Sequence, residues 1–166
     1  MSKGDRCGPS DGVLAVRLDF STLSVSYLSS LLRVLQAAIR EVARSVEDGR
    51  DRFDQLPQPV LVICQLEGGD DLTLHLVFMD ADGGGFHTEL SSTVFGAFMD
   101  ELGEFIRGLP QPGLWGRPAL RPPEPDALEL SKRMDQVYRE LHRSSKSAIS
   151  FRGHTIEIEG DRLEML

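Results

Sequence analysis

At 166 residues, with 40% apolar and 27% charged side chains, the chain is long enough for one domain with a real core and too short for two large ones. Its net charge of −8 comes entirely from the middle third, because between Arg52 and Arg107 there is no lysine or arginine but there are ten carboxylates. That field repels nucleic acid and anionic lipid, and no stretch reaches the roughly 18 apolar residues of a membrane span, so neither nucleic acid nor membrane is expected as a partner.

The first eleven residues, with Lys3, Asp5 and Arg6 and no apolar run, read as a disordered leader rather than a signal peptide. Residues 12–166 then form one α+β domain. Val13 to Phe20 alternates: Leu14, Val16, Leu18 and Phe20 share one face, and Ala15, Arg17 and Asp19 the other, as in a half-buried strand. Ser21, Thr22 and Ser24 offer hydroxyl caps for a helix. In that helix Val25, Leu28, Leu32, Leu35, Ile39, Val42 and Val46 recur at 3-4 spacing, widened by Leu31, Val34 and Ala38 into a face suited to covering a sheet.

Val60 to Leu66 is apolar on both faces, as in a central strand. Glu67-Gly68-Gly69-Asp70-Asp71 makes a hairpin turn, and Leu72, Leu74, Leu76 and Phe78 point inward from the return strand. After the Asp80–Gly85 loop and a short strand at 86–90, a hydroxyl of Ser91, Ser92 or Thr93 caps a second amphipathic helix. Residues 108–125 hold six of the nine prolines and Trp115, and form a semi-rigid connection. It either wraps the surface or tethers a C-terminal subdomain, 126–166. A third helix follows from about 126 to 145, then a hairpin turning at Gly153-His154. The order β-α-β-β-α, connection, α-β-β opens like a split β-α-β unit. A right-handed crossover there places the helices on one face of a mixed or antiparallel sheet, and the third helix and closing hairpin supply the remaining edge.

Asp80-Ala81-Asp82 followed by three glycines starts like a calcium loop, since alternating aspartates on a glycine-bent backbone converge their oxygens. Gly84 stands where an oxygen-bearing side chain is usual, and Ser91 where a closing glutamate belongs. Asp80 and Asp82 are thus the metal candidates, against a plain acidic loop. The four histidines are scattered and the two cysteines, Cys7 and Cys64, give neither zinc spacing nor a disulfide framework, which suits a reducing cytosol. Cys64 and His75 are read as ordinary cross-strand neighbours. No nucleophile elbow and no cofactor motif appears. Trp115 beside Arg117 has the composition of a docking anchor, and Arg139, Arg143 and Lys146 at 4-3 spacing form a basic helix face that acidic loops of a second copy would complement. The chain therefore reads first as a non-enzymatic interaction or regulatory module in a larger assembly, with a protein partner or itself. A small-ligand or cation binder using the acidic loops comes second, and a hydrolase of unrecognised type third.

Overall fold

A computed structural model of the chain describes residues 12–20, 23–46, 60–80, 85–109 and 125–159, with side chains from 128 in the last segment. The alternating run at the start forms β1 (Leu14–Asp19), and Ser24 caps α1 (Val25–Ser45) by accepting a hydrogen bond from the Tyr27 N–H at 3.0 Å. Strands β2 (Val60–Gly68) and β3 (Asp71–Met79) form a hairpin through Gly69-Asp70. They are followed by α2 (Thr88–Arg107), α3 (Pro125–His142), β4 (Lys146–Phe151) and β5 (His154–Glu159).

The five strands make one sheet in the order β2-β3-β1-β4-β5, antiparallel throughout. This is the split β-α-β arrangement, with β4 and β5 added beyond β1. The sheet face bearing Leu14, Val16, Leu18, Leu74, Leu76, Phe78, Ile149, Phe151 and Ile158 shares a single buried cluster with residues of all three helices. Residues from α3, β4 and β5 (Met134, Val137, Leu141, Ile149, Ile158) lie in that same cluster, so 126–159 packs on the main sheet. Three aromatic rings run through it. Phe78 of β3 stacks on Phe95 of α2 at 5.4 Å, and Phe95 meets Phe151 of β4 edge-on at 5.9 Å.

Local details depart from the sequence reading. The seam of α1 is rotated: Tyr27, Leu31, Leu35, Ala38, Ile39, Val42 and Ala43 are buried, whereas Val25 is 88% exposed. Helix α2 starts at Thr88, before the hydroxyls expected to cap it. Ser91 is instead fully buried, and its hydroxyl accepts a hydrogen bond from the Phe78 N–H at 3.0 Å, tying the helix to β3. The expected strand at 86–90 reduces to a single bridge between Phe86 and Met79. Strand β2 is an edge strand, not a central one. The last hairpin turns at Arg152-Gly153, one residue earlier than expected, with φ of 50° and 79°. Positive φ at both central residues defines the turn whose twist matches a hairpin.

Candidate functional site

A concavity lies between α2 and the tip of the β4–β5 hairpin, with a volume of about 900 Å³. Helical spacing places Ser92, Gly96, Gly103 and Arg107 on one face of α2. A glycine inside a helix costs about 1 kcal/mol relative to alanine, so two of them seven residues apart call for a reason. At Gly96 an added Cβ would meet the Phe151 ring at 3.7 Å, an ordinary van der Waals contact, so Phe151 forms the wall there without demanding a glycine. At Gly103 the nearest neighbour of an added Cβ is the helix's own Arg107, at 3.6 Å, so the side opposite is open. The groove is thus bounded by Phe151 beside Gly96 and has open space beside Gly103. Its floor is apolar, with Met99, Ile106, Phe151 and Ile156, and Arg107, Arg152, His154 and Asp100 stand around it. Arg152 lies over the Phe151 ring at 5.4 Å.

A second surface is the outer edge of β2. Among the described residues β2 pairs with β3 alone. It carries Val60, Ile63 and Leu66 with 39%, 41% and 60% of their surface exposed, and there is no charged residue from 60 to 66. The register of β2 against β3 shifts between Ile63 and Gln65, so Cys64 is the extra residue of a bulge.

The residues singled out from sequence fall as follows. Asp80 is held by His87, whose Nε2 contacts Oδ1, and its N–H donates to the Gly85 carbonyl at 3.0 Å. This pairing closes the mouth of the loop. Asp82 and Trp115 lie outside the described residues. Among the described residues no group of three or more histidines, cysteines or carboxylates is placed to hold a metal.

Arg139, Arg143 and Lys146 do not share a helix face, because α3 ends at His142. Arg139 pairs with Asp135 at 2.9 Å and Arg143 with Glu140 at 3.1 Å, while Lys146 begins β4. Strand parity puts Lys146 with Ala148 and Arg17 on the face away from the helices. In the ladder Gln65 is the formal partner of His75, but the Cys64 sulfur lies 3.4 Å from the His75 carbonyl, so the two are neighbours across the hairpin. Cys64 itself is disulfide-bonded, contrary to the sequence reading, and the support that the cysteine count gave to a reducing compartment falls with it.

Between α1 and α3 lies a polar contact that the hydrophobic pattern could not reveal. The Tyr27 hydroxyl donates to the Glu140 carbonyl at 2.7 Å, and the Arg143 guanidinium lies over the Tyr27 ring at 5.3 Å. Burial pushes the phenol up to about 12, the Glu140 charge adds to this, and Arg143 opposes it. The groove was missed for a different reason: its walls come from elements distant in sequence. The glycines at 96 and 103, two helical turns apart, were the signal in reach. No protein-family model, no curated protein and no solved structure matches this chain.

Proposed function

We propose that this protein is a non-enzymatic interaction module that associates with a second copy of itself by pairing β2 against β2. The observation that carries this reading is an edge strand that is uncharged from Val60 to Leu66 and partly exposed, on a strongly acidic protein. An edge strand presents a row of backbone donors and acceptors, and natural proteins commonly guard such rows with charges or proline. Among the described residues, the ladder from Val60 to Leu66 is interrupted by a bulge at Cys64, a device that guards an edge. Antiparallel pairing about a two-fold axis also suits the charge distribution. It joins the least charged segment of the two molecules and sends the acidic turns, with Glu67, Asp70 and Asp71, to opposite ends of the joined sheet.

Sedimentation equilibrium across a concentration series tests this, with and without reductant, because backbone pairing does not depend on the Cys64 disulfide. A dimer that dissociates on Leu66→Lys, with unchanged melting temperature, is expected in both conditions. A monomer at all concentrations, or a dimer indifferent to Leu66→Lys and Ile63→Lys, removes the reading.

A further inference from the structure

We infer that the groove between α2 and the β4–β5 hairpin is a binding site for a small amphipathic anion, a molecule with an extended apolar body and an acidic head. This surface is separate from the β2 edge, and the inference stands or falls independently of the dimer.

Three features lead to that ligand class. The first is shape. From Gly96 to Arg107 the helix runs about 16 Å at 1.5 Å per residue, and the missing side chain at Gly103 leaves open space along it. A volume of about 900 Å³ is at the upper end of the range for small-molecule sites.

The second is the floor. Phe151 and Met99 are buried beneath it and Ile106 and Ile156 are half-buried, so an apolar body laid there removes their remaining surface from water. Flexible Met99 adapts to chains of differing shape.

The third is charge. On a protein of net charge −8 the rim of this groove gathers Arg107, Arg152 and His154 against Asp100. Arg107 is the first cation after Arg52, so the positive rim interrupts the acidic field of the middle third. Its Nε donates to the Gly103 carbonyl at 3.2 Å, which lays the guanidinium back along the helix beside the groove. The Arg107 contact with Glu104, at 3.7 Å between side chains that are each 75% exposed, is a weak competitor for an incoming acid head. Arg152 is placed by the turn: its φ of 50° and the seat of its guanidinium over Phe151 hold the cation at the groove's edge. Apolar floor and cationic rim together favour an anionic amphiphile over a neutral or cationic one.

Isothermal titration calorimetry with dodecanoate, kept below its micelle concentration, is the test, run on the full chain and repeated on the Leu66→Lys variant so that association through β2 plays no part. Saturable one-to-one binding with Kd on the order of 10 µM is expected. Dodecyltrimethylammonium, of equal tail and opposite charge, should bind at least about 30-fold more weakly. Gly103→Leu, which fills the groove with a better helix former, should weaken dodecanoate at least about tenfold without lowering the melting temperature. Arg107→Glu and Arg152→Glu should each do the same through the head. Absence of saturable binding, equal affinity for the two amphiphiles, or binding untouched by all three substitutions would overturn the assignment.

Discussion

Strand β5 ends the sheet with Thr155, Glu157 and Glu159 on its outer face and with Ile158 buried beneath α3, whereas β2 ends it with Val60, Ile63 and Leu66 partly exposed and no charge before Glu67. The β5 side is also tied inward. Arg17 of β1 reaches Glu157 at 3.8 Å and Asp71 at 4.0 Å, and Lys146 stands opposite Glu159 in the ladder. Helix α3 packs on β4 and β5 and α2 on β3 and β4, and neither covers β2 as closely. The same sheet is therefore terminated at one edge and left open at the other. Burial decides which apolar residues hold the fold, and their exposure at an edge marks the ones available to a partner.

The contrast is sharpest for one substitution made on both strands. Ile158→Lys puts an unpaired charge into the core and should cost at least about 3 kcal/mol, read as loss of the cooperative denaturant transition under mild conditions. Leu66→Lys should change stability by no more than about 0.5 kcal/mol while weakening self-association about 100-fold by sedimentation. Equal stability losses at the two sites would mean that β2 is as enclosed as β5.

Tyr27→Phe tests the α1–α3 brace behind the closed edge, and should cost about 1 kcal/mol in urea unfolding. The same residue sets a pH dependence. Because the folded-state phenol is raised from 10.0 to about 12, the unfolded chain loses its proton first as pH rises. The stabilisation is complete below pH 10 and is lost between pH 10 and 12. Melting temperature should fall through that window in the parent more steeply than in Tyr27→Phe, and absorbance at about 295 nm should show one late-ionising tyrosine. The smallest effect on stability, within about 0.5 kcal/mol, is expected from Glu157→Val with Glu159→Val. Its outcome lies elsewhere: uncovering the β5 edge should add a second mode of association, visible as species larger than a dimer.

Much of this architecture is legible in the residue pattern, because β1, β3 and the helices bury faces whose periods of 2 and 3.6 stand out. What escapes is decided across long separations. Ser91 looks like a cap from its neighbours, and only the placement of Phe78 shows that a strand N–H claims its hydroxyl. Arg139, Arg143 and Lys146 keep helical spacing in the sequence, but the chain leaves α3 at His142 to reach its place beside β1. The uncharged run at 60–66 reads as a central strand by composition, since being flanked on both sides and being an open edge look alike in one dimension. The groove has no local signature beyond two helical glycines.

Strand β1 comes first among the described strands and yet lies at the centre of the sheet, with Ala15 facing His75 on one side and Ser150 on the other. During synthesis it must therefore wait. Its β3 flank can be satisfied once the first hairpin has emerged, but its β4 flank stays bare until nearly the whole described chain has left the ribosome. A nascent or prematurely terminated chain would offer Leu14, Val16 and Leu18 beside an unpaired backbone to whatever is nearby, which makes the order of emergence a source of risk and chaperone contact for this fold.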